Sequence, residues 1–303
     1  MLARRLAIAF AALTSVGIVA QSSQPLRDQR LFRSSIELTS ISATVTDRDG
    51  RLISDVARDD FEVYEDGQLQ TISQFSHERV PVGLGVLIDI SDSMFGKRIQ
   101  DARAAVDRFL FDLLDPQDEF FLVAFNHKPR GLTPWTRERD EVRRALDGLR
   151  PTGGTAIYDA IFEALPTLDR RTRERAALLI ISDGADTASN ATLRDVRSAL
   201  LRSDVFVYAI AIDSADAKAI NARVNVEALR DITSQSGGRT EIVRTSADLA
   251  DATARIADEL NSQYLIGYTS PKGADGAYHS IRVRIAGTDY RVRARNGYVA
   301  TRD

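Results

Sequence analysis

Four near-continuous apolar runs, at residues 82–90, 120–125, 176–182 and 205–212, alternate with stretches of helical periodicity. A strand with one wet face alternates apolar and polar residues. Unbroken apolar runs are instead expected of strands covered on both faces. Between the runs, apolar residues recur at helical spacing: Ile99, Ala102, Val106, Phe109 and Leu113 over 97–114, with further helices over 138–149, 155–168, 193–202 and 226–236. A short strand over 240–243 precedes a helix over 247–260, whose stripe is Leu249, Ala252, Ile256 and Leu260 and whose N-cap is read as Ser246. This alternation predicts an α/β fold with a doubly wound, mainly parallel sheet.

The flanks differ in character. Residues 34–80 hold short alternating segments such as Phe61-Glu62-Val63-Tyr64, broken by the turns Asp47-Arg48-Asp49-Gly50 and Glu65-Asp66-Gly67. Residues 263–303 return to strand patterns over 264–269, 278–285 and 290–299, separated by Gly273, Gly276 and Gly287. The two flanks are expected to pair into one small antiparallel module that brings the ends of the core, 81–262, close together.

Residues 1–20 read as a secretory leader: Arg4 and Arg5, an uncharged apolar run over 6–19, then Ile18 and Ala20 at the −3 and −1 positions of a cleavage site. The run is short for a spanning helix, which needs about 20 apolar residues; retention as an N-terminal anchor is the alternative. A polar spacer follows over 21–33. The expected location is the periplasm or the exterior of the cell.

Composition removes several chemistries. The 303 residues include no cysteine, so thiol nucleophiles, disulfides, cysteine-bound metals and a lipoprotein anchor are excluded. Basic and acidic residues number 40 and 43 and are interspersed, which argues against nucleic acid or anionic lipid as partner. The three histidines, His77, His127 and His279, are too far apart to suggest a zinc motif. There is no G-x-S-x-G elbow and no Walker A loop, and Gly83-Leu84-Gly85 falls short of a dinucleotide fingerprint.

The first buried run ends in Asp89-Ile90-Ser91-Asp92-Ser93, the third in Ser182-Asp183-Gly184, and Thr155 follows Gly153-Gly154 at the start of a helix. All three segments fall at the carboxyl edge of the predicted sheet, where such folds bind ligands. Asp89, Ser91, Ser93, Thr155 and Asp183 offer only hard oxygens, a donor set that suits Mg²⁺, Mn²⁺ or Ca²⁺ rather than zinc or copper. A cation held partly by neutral hydroxyls keeps positive charge, which an incoming carboxylate can satisfy.

These residues resemble the von Willebrand factor type A domain family, whose metal-ion-dependent adhesion site has the pattern D-x-S-x-S with a distant Thr and a distant Asp. The resemblance covers about residues 81–261 and implies a Rossmann-like fold. It further implies that Ser91, Ser93 and Thr155 contact a cation, that Asp89 and Asp183 act directly or through water, and that a protein partner supplies an Asp or Glu. Residues 44–47, 60–67 and 263–268 resemble the exported bacterial von Willebrand factor type A-related domain proteins. The expected function is cation-dependent binding of a macromolecule, without catalysis. The alternatives are a cell-envelope scaffold binding through the β flanks, on which Tyr278, Tyr290 and Tyr298 offer a face, and a metal-dependent hydrolase. For the site itself, the alternative is a vestigial network in which Ser93 and Thr155 are helix N-caps.

Overall fold

The computed structural model describes residues 38–183, 185–213 and 226–301. The segments read as a leader and a spacer, and Gly184, lie outside the described residues. In chain order the elements are β1 (Leu38–Thr46), β2 (Phe61–Glu65), β3 (Gln68–Gln70) and β4 (Ile72–Ser76). The core follows with β5 (Val82–Asp89), α1 (Lys97–Arg108), β6 (Glu119–Phe125), β7 (Pro129–Thr136), α2 (Arg139–Asp147) and α3 (Ile157–Asp169). It continues with β8 (Arg175–Ser182), α4 (Leu193–Leu200), β9 (Phe206–Ile212), α5 (Val226–Ser236), β10 (Thr240–Val243) and α6 (Ser246–Asn261). The chain closes with β11 (Tyr264–Thr269), β12 (Tyr278–Ile285), β13 (Arg291–Arg293) and β14 (Gly297–Val299).

The six-stranded sheet has the order β10-β9-β8-β5-β6-β7, parallel except for β7. Its apolar runs are covered on both faces, as their composition requires. On one face Leu84, Val86, Ile88, Leu179 and Ile181 meet Ala102 and Val106 of α1 and Leu249 and Ile256 of α6. On the other, Leu87, Leu178 and Ile180 meet Ile161 of α3, Val196 of α4 and Ile232 of α5. Gly85 serves this packing. A Cβ there would stand 2.7 Å from the Phe121 ring and 2.8 Å from Leu178, so the glycine admits two large side chains.

The flanks interleave into two four-stranded sheets, β13-β1-β11-β4 and β14-β12-β2-β3, around a shared core of Ile41, Val45, Val63, Tyr264, Ile266 and Ile281. Both sheets mix strands from before and after the α/β core, and β1 runs antiparallel to β11 from Leu38↔Thr269 to Ala43↔Tyr264. Where one strand over 290–299 was expected, the chain forms β13 and β14, which join different sheets. Tyr278 and Tyr290 are exposed, while Tyr298 packs against the sandwich core.

Three further departures have local causes. β7 is an edge strand carrying Pro129, Gly131 and Pro134, residues that weaken a strand signal but are tolerated where one side of the ladder is open. The helical stretch expected over 97–114 is α-helical only to Arg108 and ends in a π-helical turn, Phe109–Leu113. The N-cap of α6 is Thr245, which forms a capping box with Asp248, one residue before the expected Ser246.

Candidate metal centre

β5 is the first strand of the core and lies between β6 and β8, so the chain leaves it in one direction and later returns on the other side. A crevice opens at such a switch point, beyond the carboxyl ends of the strands. Asp89 ends β5 there and Asp183 follows β8. Asp89 is completely buried. Its Oδ1 accepts from the Ser91 amide at 2.7 Å and its Oδ2 from Ser182 Oγ at 2.5 Å. Ser91 Oγ and Ser93 Oγ stand 3.0 Å apart, and Ser93 Oγ donates to Asp183 Oδ1 at 2.6 Å. One hydrogen-bonded chain therefore links Asp89, Ser91, Ser93 and Asp183.

The loop that leads to Thr155 is tied through its backbone to the loop after β5. The Thr152 amide donates to the Ile90 carbonyl at 2.8 Å and the Asp92 amide to the Gly153 carbonyl at 2.9 Å, joining the two loops. Gly153 has φ +81°, which favours glycine on conformational grounds, and a Cβ there would lie 3.1 Å from His127 Nδ1, so that side chain would have to give slightly. From the other side, Thr155 N donates to Thr187 Oγ1 at 3.0 Å and Thr155 O accepts from the Thr187 and Ala188 amides. The first turn of α3 is held by the same loop: Asp186 Oδ2 accepts from Tyr158 N at 3.0 Å and Ser189 Oγ from Asp159 N at 3.1 Å. Asp186 is thus an N-terminal cap supplied by another loop. Asp92, the other acid near the rim, is exposed.

The N-cap explanation of Ser93 and Thr155 does not fit this geometry. The caps of α1 and α3 are Gly96 and Ala156, and neither makes a side-chain capping bond.

Burial pushes the Asp89 carboxyl up from 3.8 to about 7; the bonds from Ser182 and Ser91 oppose this and the charge of Asp183 adds to it. Burial also raises Asp183, against the Ser93 bond and the guanidinium of Arg98. Arg98, in the first turn of α1, donates through Nη1 to Asp183 Oδ2 and to the Ser93 carbonyl, both at 2.7 Å. Two carboxylates held in a dry place against their ionisation preference form a site that a cation would stabilise.

The donor set fits a hard divalent ion. Octahedral Mg²⁺ with oxygens at about 2.0–2.1 Å places adjacent ligands about 3 Å apart, the separation of the two serine hydroxyls. Among the described residues no three His, Cys, Asp or Glu side chains group closely enough to hold a metal by themselves. Any ion held here would therefore depend on the hydroxyls.

Ser182 and Arg98 are the residues that sequence reading passes over. Ser182 was legible in principle: β5 and β8 pair in register from Val82↔Arg175 to Ile88↔Ile181, which places Asp89 beside Ser182. Arg98 gave no such signal, because its role depends on the approach of α1 to the loop after β8. Beside the site, Ser93 and Arg98 also line a cavity of about 490 Å³ between the N-terminal ends of α1 and α6, floored by Ile212, Val243 and Leu249. Phe95 projects at its rim, 77% exposed.

Comparison with known proteins agrees with this fold. Residues 84–185 match the family model of the von Willebrand factor type A domain. It is 29% identical over 143 residues to human inter-alpha-trypsin inhibitor heavy chain H4, covering 41% of this chain and 15% of that one. It is 21% identical over 249 residues to heavy chain H2 of Sus scrofa, covering 75% of this chain and 25% of that one. The chain thus corresponds to a quarter or less of the length of these two relatives. Among solved structures, a von Willebrand factor type A protein from Catenulispora acidiphila superposes with a TM-score of 0.53 at 16% identity, over 80% of this chain and 74% of that one. The conserved hypothetical protein BatB from Bacteroides thetaiotaomicron gives 0.50 at 18% identity, over 59% and 98%. At these identities the likeness is one of fold.

Proposed function

We propose that this protein is a cation-dependent binding protein, without catalysis, whose site at the carboxyl edge of the sheet recognises an acidic residue of a protein partner. Asp89, Ser91, Ser93, Thr155 and Asp183 would hold the ion, Mg²⁺ or Mn²⁺ before Ca²⁺ because the hydroxyls are close-set. Bound there, the ion supplies a Lewis-acidic position for an external carboxylate. The observation that carries this reading is the hydrogen-bonded chain from Asp89 through Ser91 and Ser93 to Asp183, which gathers hard oxygens from two strand ends at one point. The cavity beside it, with an apolar floor and exposed Phe95, offers a surface for the residues flanking the partner's acid. Residues 1–20 would direct export, which N-terminal sequencing of the protein recovered from the periplasm or the medium would test.

The test of binding is calorimetric titration with Mn²⁺ and Mg²⁺, repeated on the Ser91→Ala/Ser93→Ala double variant. Saturable binding that the double variant loses supports the reading. Absence of binding even with acetate present, or binding that survives the double substitution, overturns it.

A further inference from the structure

Arg98 occupies an unfavourable place on its helix. It lies in the first turn of α1, which contains no acidic residue, and the positive end of a helix dipole disfavours a cation. Its guanidinium is nevertheless drawn in, with its side chain 16% exposed against an Asp183 side chain that is 1% exposed. The contact is specific: Asp183 Oδ2 accepts from Arg98 Nη1 at 2.7 Å while Oδ1 accepts from Ser93 Oγ at 2.6 Å, so the two oxygens are divided between the guanidinium and the serine pair.

We infer that Arg98 is a built-in counter-charge that weakens the site's hold on a divalent cation and thereby ties retention of the cation to the arrival of an acidic group. The inference rests on the metal-binding reading above. With Asp89 and Asp183 alone, a divalent ion would be neutralised. With Arg98 present, the loaded site carries one positive charge in excess, in surroundings of low dielectric where that excess is felt strongly. The excess lowers affinity for the metal and raises affinity for an external carboxylate. Arg98 itself satisfies Asp183, so the cluster needs no ion to fold.

The experiment measures Mn²⁺ affinity from the electron paramagnetic resonance signal of the free ion, at constant ionic strength, with and without acetate. Arg98→Gln should bind Mn²⁺ at least about tenfold more tightly than the wild type, and Arg98→Lys, which keeps the charge, should remain near the wild-type value. Acetate should strengthen Mn²⁺ binding by the wild type and do so less for Arg98→Gln. Arg98→Met provides a second neutral variant if the glutamine variant does not fold. Equal or weaker Mn²⁺ binding by a folded neutral variant, beside a wild type that binds, overturns the role of Arg98 and leaves the metal site standing. No Mn²⁺ binding by any variant, even with acetate, overturns the metal site and the inference with it.

Discussion

Ser182 Oγ lies 2.5 Å from Asp89 Oδ2, across the boundary between β5 and β8, so one buried carboxylate fastens the two strand ends that form the crevice. Ser182 is completely buried. Ser182→Ala removes a donor from a carboxylate that has no solvent to replace it. The expected cost is about 1–3 kcal/mol, seen as a lower urea midpoint with an unchanged slope. The same loss should raise the Asp89 carboxyl further, so Mn²⁺ binding by this variant should fall at neutral pH as the proton competes for the site.

Gly153 controls where Thr155 stands. Any other residue must adopt φ +81° and place its Cβ 3.1 Å from His127 Nδ1. Gly153→Ala should cost about 1–2 kcal/mol from backbone strain alone, measured by thermal unfolding. Gly153→Val should cost more, because a β-branched side chain tolerates that conformation worst. If both variants kept wild-type stability, the turn would not be the constraint on Thr155 that its geometry indicates.

Much of this organisation is legible in the sequence for a physical reason. A strand buried on both faces must be apolar throughout, and a helix resting on a sheet must be apolar at every third or fourth residue, so local composition reports the tertiary layer. That Asp89 and Asp183 come to one edge is legible for the same reason, since β5 and β8 are parallel neighbours that end there. What is not legible is whatever two distant segments decide together. β7 gives no strand signal because Pro129 and Pro134 are tolerated at its edge position, which depends on the rest of the sheet. Arg98 reads as a solvated helix residue until α1 is packed against the loop that carries Asp183. The capping of α3 by Asp186 and Ser189 likewise crosses from one loop to another.

The junction between the α/β core and the sandwich depends on Glu259, near the end of α6. Its side chain is 3% exposed, and it pairs with Arg239 at 2.7 Å and with Arg293 of β13 at 2.6 Å. Glu259→Ala takes from Arg293 the carboxylate it pairs with and leaves Arg239 with Glu241 alone. The expected loss of stability is about 3 kcal/mol, the lower end for a broken buried pair because both arginine side chains are 29% exposed and can recruit water. Chemical denaturation gives the magnitude. Faster amide exchange in β13 than in the central strands would show that the loss is concentrated at the junction.

His279 supplies the pH dependence of the sandwich. Its ring is held between Asp66, 2.8 Å from Nδ1, and Asp275, 3.1 Å from Nε2, with the side chain 5% exposed. The bond to Asp66 raises the imidazole above its ordinary 6.5, burial opposes the rise and Asp275 reinforces it. The folded protein therefore holds this proton more tightly than the unfolded chain does. The resulting stability is full below about pH 6.5 and is lost as pH climbs through the higher folded value. The acids behave in the opposite sense: Asp66 is lowered from 3.8 chiefly by the His279 bond, and Asp275 by the Ala277 amide and then His279. Their contribution is present above about pH 3.8 and disappears in acid. The cluster is thus strongest between those limits. Because both aspartates are partly exposed, the wild-type melting temperature should fall by only about 1–3 °C from pH 6 to pH 9 on this account. Subtracting the profile of His279→Gln isolates the contribution. A difference between the two proteins that stays constant from pH 6 to pH 9 would show that His279 does not titrate in that interval.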